Sequence, residues 1–341
     1  MLKKNILRGV RRAWLPLALF AGGAVQADPS LNIDNPIVLQ RADPYLVRDE
    51  ATGCYQFIGT SPKFDQIEIR SACRLNDLKL AEPTVIWQKK TSGPMSANIW
   101  APELHRIDGN WYVYFAAGDA AKPFSIRMYV LSNPSEDPSQ GTWQEEGQLS
   151  THIDSFSLDA TTFEHGGKRY LVWAQQNAER SYNSALWIAE MDSPTSVKAP
   201  IVKISEPTLD WEIQGYKVNE GAAVLVRNGK VFMTYSAGAT DDRYAMGLLW
   251  ADADADLLDA DSWHKSPDPV FSTNERLGRY GPGHNSFVLA EDGSTDLMIY
   301  HSRDYQELQG TPLTDPNRHA RARAIYWDAN GFPVFMQEQG D

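Results

Sequence analysis

The chain has 341 residues, of which 44 are acidic and 32 basic, for a net charge of −12 at pH 7. That length suffices for one large domain or two small ones, each able to bury a full core. The negative balance disfavours nucleic acid and anionic membrane surfaces, which select basic patches.

The N-terminus reads as a secretory leader. Lys3, Lys4, Arg8, Arg11 and Arg12 precede an apolar run from Ala13 to Ala21, and Val25-Gln26-Ala27 offers small side chains where a signal peptidase reads. The run is shorter than the roughly 20 apolar residues a membrane-spanning helix needs. The expectation is a signal peptide at 1–27, a single domain over 28–341, and a secreted or periplasmic product. Losing the leader removes basic residues and no acidic ones, which deepens the negative charge. Two cysteines, Cys54 and Cys73, lie in strand-like runs flanking the turn Ser61-Pro62-Lys63. Export favours their oxidation, so a cross-strand disulfide and two buried thiols both fit. Their spacing matches no zinc pattern.

From residue 43 onward one unit recurs. Asp43 to Val47 leads into Cys54 to Gly59; Ala101 to Leu104 into Asn110 to Phe115; Asp159 to Phe163 into Lys168 to Trp173; Glu220 to Leu225 into Val231 to Tyr235; His284 to Val288 into Leu297 to His301. Each is a short strand, a polar turn such as Asp108-Gly109 or Asn228-Gly229, and a strongly apolar strand. The units start at 43, 101, 159, 220 and 284, steps of 58, 58, 61 and 64 residues. A third alternating strand follows each hairpin, as in Ile67 to Arg70, Met128 to Leu131, Leu186 to Ala189, Leu248 to Trp250 and Ala324 to Trp327. A rougher fourth, such as Thr84 to Trp87 or Pro200 to Lys203, completes most units. The fold expected is all-β: a five-bladed β-propeller with four antiparallel strands per blade. Radial packing hides sheet faces that no blade could bury alone.

The first strand of each propeller blade lines the central channel. Aligning the units on their polar residues brings Asp43, Ala101, Asp159, Glu220 and His284 to one axis. Any one of these is an ordinary turn former or core residue. Three acids at one position across five repeats are not, because carboxylates crowded out of water must separate their pKa values. Paired carboxyls suit glycoside hydrolysis, and the chain has no G-x-S-x-G, no Walker loop and no G-x-G-x-x-G. Trp100, Phe57 and Trp173 lie near the first positions, where stacking on sugar and packing in a core are both open to them.

In order along the chain, Ala42-Asp43-Pro44, Trp100-Ala101-Pro102-Glu103, Leu158-Asp159-Ala160, Asn219-Glu220-Gly221 and Gly283-His284-Asn285 resemble the motifs of glycoside hydrolase family 43. The family consists of five-bladed propellers that invert the anomeric centre of arabinofuranosides or xylosides. The resemblance implies Asp43 as general base, Asp159 as the group that tunes and orients the acid, and Glu220 as general acid. It implies His284 at the axis, near a bound calcium or its waters. Calcium prefers oxygen ligands and one histidine offers none, so waters would supply most of such a shell. A last-blade arginine near the sugar corresponds to Arg318, with Arg321 as runner-up. Ala222 departs from the Pro that many members carry after Glu-Gly.

The activity expected is release of α-L-arabinofuranosyl units from arabinan, arabinoxylan-type polymers or their oligosaccharides. Endo-arabinanase and β-xylosidase are alternatives within the family. A non-catalytic sugar-binding propeller is the second alternative, against which stands the presence of all three carboxylates; a protein-interaction propeller would repeat a Trp-Asp signature, which the chain does not show.

Overall fold

The computed structural model describes residues 31–335, so the expected leader lies outside the described residues. The architecture is all-β, with five antiparallel sheets arranged as the blades of a propeller. Blade 1 comprises Ala42–Arg48, Tyr55–Thr60, Gln66–Ala72 and Thr84–Gln88; blade 2 Ala97–Ile107, Asn110–Asp119, Lys122–Asn133 and Gln144–Gln148. Blade 3 comprises Ser157–His165, Lys168–Gln175, Ala185–Ser193 and Val202–Ser205; blade 4 Glu220–Arg227, Lys230–Ala237, Ala245–Asp252 and His264–Lys265. In blade 3 the two-residue strand Ser196–Val197 also pairs with Ala185–Ser193. The first strand of each blade touches the first strands of its neighbours, and the strand of blade 5 (Tyr280–Leu289) touches that of blade 1, which closes the ring.

The hairpin turns follow from their residues. Asp108-Gly109, Gly166-Gly167 and Asn228-Gly229 all have both φ angles positive, the geometry that matches the twist of two adjoining strands. Apolar residues of each sheet then pack against the next. Ile58, Ile67 and Ile69 of blade 1 share a core with Val113, Phe115 and Leu131 of blade 2. Similar clusters fill the other four junctions. Because the core is divided between blades, the axis is left for polar side chains.

Blade 5 differs from the expected pattern. Its third strand is His319–Ala324, not Ala324 to Trp327; Tyr326–Trp327 instead pairs with Pro333–Val334. The outer edge of the third strand is met by the N-terminal segment. Val38 bridges Ala320, and Asn35 both donates to the Ala322 carbonyl (2.8 Å) and accepts from the Ala322 amide (2.9 Å). Cys54 and Cys73 form a disulfide, flanking the paired residues Tyr55 and Ala72.

Candidate active site

Each first strand carries an irregularity at the same place. Pairing with the second strand skips residues between Ala42 and Tyr45, Trp100 and Glu103, Leu158 and Thr161, Glu220 and Ala223, and Gly283 and Ser286. Just after the first residue of each pair the backbone turns left-handed: Asp43 (φ 51), Ala101 (43), Asp159 (56), Gly221 (57) and His284 (45). Such bulges re-aim side chains. They also correct the alignment of the repeats. Gly221, not Glu220, is the counterpart of Asp43; Glu220 stands one residue earlier, level with Trp100 and Leu158.

The shift has a steric reason. At Gly221 a Cβ would lie 2.9 Å from Cγ of His284, so the position must be empty for the imidazole to fit. Glu220 therefore enters the cavity from the residue before the bulge, as Trp100 and Leu158 do, whereas Asp43, Asp159 and His284 enter it from the bulges.

The bulged amides find partners on the preceding blade. Asp43 N–H donates to Nδ1 of His301 (3.0 Å), Ala101 N–H to Oγ1 of Thr60 (2.7 Å), Gly221 N–H to Oδ2 of Asp159 (3.0 Å) and His284 N–H to Oγ of Ser236 (2.8 Å). Buried amides need such acceptors, and here side chains supply them. Thr60 also donates to Oδ2 of Asp43 at 2.6 Å, so the hydroxyl that receives the blade 2 amide also holds the acid of blade 1.

A cavity of about 690 Å³ opens over this ring, lined by Asp43, Asp159, Glu220, Trp100, His284 and Arg318 among others. Asp43 is 8 % exposed and Asp159 4 %. Burial would raise the Asp43 carboxyl, but Arg318 (3.3 Å), His284 (3.3 Å), His301 (3.5 Å) and the Thr60 bond outweigh it and hold the group well below the usual range. Asp159 moves the other way. Burial first, then the charges of Glu220 and Asp43, push it far above the usual carboxylate range, against the bond from Gly221 N–H. Glu220 is pushed up to about 7 by burial, opposed by the hydrogen bond from the Tyr244 hydroxyl (2.9 Å) and reinforced by Asp43. Two neighbouring carboxyls thus hold protons more tightly than usual, while the third stays ionised.

Not every expected residue belongs to this constellation. Arg318 reaches Asp43, but Arg321 is turned away, with Nε on Ser302 (2.9 Å) and Nη2 on Asp304. Phe57 and Trp173 are buried in the cores between blades 5 and 1 and between blades 2 and 3, off the cavity wall. Both sit on second strands, one step out from the axis. Trp100 does line the cavity, in edge contact with Phe64 and near Phe124. Tyr244, Thr60, His301 and Ser236 went unread. The last three oppose the residue before the bulge on second strands. That shared register was a signal available in the repeats.

The side chains around His284 form no cage of their own, so a calcium there would take its oxygens mostly from water. Burial keeps its imidazole below the ordinary pKa, despite Asp43, and Nδ1 faces that carboxylate. Among the described residues no group of three or more His, Cys, Asp or Glu side chains is arranged to hold a metal.

A propeller with one ionised and two proton-retaining carboxyls under a cavity at its axis has the equipment of a glycoside hydrolase. Residues 33–333 match the model of glycosyl hydrolases family 43, and the chain belongs to that family. It is 50 % identical to an extracellular exo-α-(1→5)-L-arabinofuranosidase of Streptomyces avermitilis over 95 % of this chain and 67 % of the relative. It is 47 % identical to an enzyme of the same name from Streptomyces chartreusis, over 91 % of this chain and 94 % of that one. It is also 47 % identical to α-L-arabinofuranosidase 43 of Humicola insolens, over 93 % and 66 %. The chain thus spans about two thirds of two of these relatives and nearly all of the third. The crystal structure of α-L-arabinofuranosidase from Lactobacillus brevis superposes with a TM-score of 0.86 at 47 % identity, covering 89 % of this chain and 96 % of that one.

Proposed function

We propose that the protein is an exported, inverting α-L-arabinofuranosidase that removes single terminal units from arabinan or its oligosaccharides, as in breakdown of plant cell-wall polysaccharides. The observation that carries the reading is the divergence of pKa values at one cavity: Asp43 lowered, Glu220 raised to about 7. Asp43, ionised, takes a proton from the attacking water. Glu220, protonated, gives its proton to the leaving oxygen on the other face of the sugar. Tyr244 donates to Oε1 of Glu220, which leaves Oε2 to carry the acidic proton. Asp159 accepts from the Gly221 amide and so fixes the backbone beside the acid. Arg318 keeps Asp43 ionised and stands where a sugar hydroxyl would meet it. Acid, base and water suffice for the chemistry, so no cofactor is invoked. The arabinofuranosyl preference and exo action rest on the names of the relatives from Streptomyces. Export rests on their description as extracellular and on the leader-like N-terminus; no helix among the described residues is long and apolar enough to cross a membrane.

The test pairs two substrates. Glu220→Gln should cut kcat on arabino-oligosaccharides by about 10²–10⁴-fold, with a much smaller loss on a 2,4-dinitrophenyl arabinofuranoside, whose leaving group needs no proton. Asp43→Asn should abolish turnover of both. Proton NMR of the first arabinose released should give the inverted anomer; the retained anomer sinks the mechanism.

A further inference from the structure

The segment before Glu220 contains a second buried carboxylate that the reaction does not use. Glu212 lies in a short 3-10 helix, Asp210–Ile213, on the connection from blade 3 to blade 4, and is fully buried. Its Oε2 accepts from the amides of Thr208 and Leu209, both at 2.8 Å. Its Oε1 accepts from Asn219 Nδ2 (2.9 Å), the Tyr235 hydroxyl (2.8 Å) and Lys265 Nζ (2.6 Å). Five donors on one carboxylate leave it no freedom to rotate, and charge-assisted bonds are the strong ones.

Asn219 is the residue through which this grip reaches the site. It is fully buried and adjoins Glu220 in the chain. Besides Glu212, its side chain bonds the Val218 carbonyl (3.0 Å), Ser205 Oγ (2.7 Å) and Lys265 (3.4 Å). Its amide donates to the Ser184 carbonyl at 3.0 Å, and its own carbonyl accepts from Ser184 Oγ at 3.2 Å. On the other side of Glu220, Asp159 holds the Gly221 amide. The acid is thus clamped at both neighbouring residues, by one carboxyl group on each side.

We propose that Glu212 is a positioning residue for proton donation: through Asn219 it fixes the backbone from which Glu220 projects, and so the direction in which the acidic proton is delivered. A carboxylate suits the task because all five neighbours are donors. An amide of the same shape would turn an NH₂ toward at least two of them. The proposal rests on the reading of Glu220 as the acid. It goes beyond that reading in assigning a task to a residue that touches neither sugar nor water.

Misdirected proton delivery slows only those substrates that need a proton on the leaving group, whereas general loosening of the fold slows all of them. In the full-length enzyme, Glu212→Gln should lower kcat on arabinotriose by about tenfold or more. It should leave KM within about twofold and kcat on 2,4-dinitrophenyl arabinofuranoside near wild type. Glu212→Asp, which keeps the charge, should recover part of the loss. Ser205→Ala, which removes one bond to Asn219, should give the same split at smaller size, and serves if Glu212→Gln does not fold. Equal losses on both substrates, or no loss on either, in a folded variant overturns the proposal. Glu220→Gln run alongside separates the two ideas. If it discriminates between the substrates and the Glu212 and Ser205 variants do not, only the positioning role fails. If Glu220→Gln itself does not discriminate, the assignment of the acid fails and takes this inference with it.

Discussion

Tyr244 adjusts the acid more directly than any other uncharged group. Its hydroxyl donates to Oε1 of Glu220, and its ring stacks on His301, whose Nδ1 receives the Asp43 amide. A hydrogen bond to the ionised form favours that form, so Tyr244 pulls the Glu220 pKa down from where burial would put it. As the proposed general acid, Glu220 works while protonated. Activity on arabino-oligosaccharides should therefore fall as pH rises through about 7. Tyr244→Phe should move that descending limb to higher pH, by about one unit for a bond of ordinary strength to a charged group. The pH profile of kcat/KM checks it, and a shift to lower pH contradicts the assignment. On the dinitrophenyl substrate the limb should be absent in both proteins. None of this was legible from the chain. Tyr244 precedes a third strand without a motif of its own, and only the fold brings it to Glu220. The carboxyls were legible because they recur at the mouths of apolar strands, where an acid is out of place. Phe57 and Trp173 misled because an aromatic in an apolar strand reads alike on a cavity wall and in a core between blades.

At the scale of the element, the bulge explains both what the repeats revealed and where they deceived. Apolar alternation beyond the bulge marked every inner and second strand, so the blades could be counted and their starts located. The bulge breaks the period of two, and an alignment made on charged residues slid Glu220 onto the position that Gly221 occupies. The missing side chain at Gly221 is what admits His284, and a residue with no side chain leaves no charge to align on. The third strand of blade 5 was misread for a related reason. His319–Ala324 alternates arginine with alanine, and its buried arginines do not look like a sheet interior until their partners are known. The disulfide belongs to this scale too. It ties the outer end of the blade 1 hairpin, where Arg48 pairs with Tyr55, while Asp43 lies at the opposite end, next to the Ala42–Thr60 pair. Replacing Cys54 and Cys73 together by serine should cost about 2–4 kcal/mol of stability. It should leave kcat/KM unchanged. Denaturant unfolding measures the first and turnover the second; a loss of turnover in the folded variant would mean that strain at this end reaches the axis.

A ring of blades is stable only if its ends meet. Here the junction of blades 5 and 1 has to be made by residues far apart in the chain, so it carries the largest loop-closure cost of the five. Two devices hold it. The first is the core that Leu46, Tyr55 and Phe57 share with Leu297, Ile299 and Ala322. The second is the N-terminal segment laid along the outer edge of blade 5, where Asn35 exchanges two bonds with Ala322 and Val38 bridges Ala320. The segment covers an edge that would otherwise expose unpaired amides and carbonyls. The same junction carries the His301 contact to the Asp43 amide, so opening it would loosen Asp43, the proposed base, as well as the ring. Asn35→Ala removes both bonds to Ala322 and should lower stability by about 1–3 kcal/mol, the usual worth of two hydrogen bonds. If the closure is coupled to the site, the variant should also lose thermal protection of activity at the temperature where hydrogen exchange at Ala320 and Ala322 accelerates, ahead of exchange in blades 2 and 3. Exchange that accelerates in all blades together would instead make the ring a single cooperative unit, with the clasp contributing to its total stability and not to local opening.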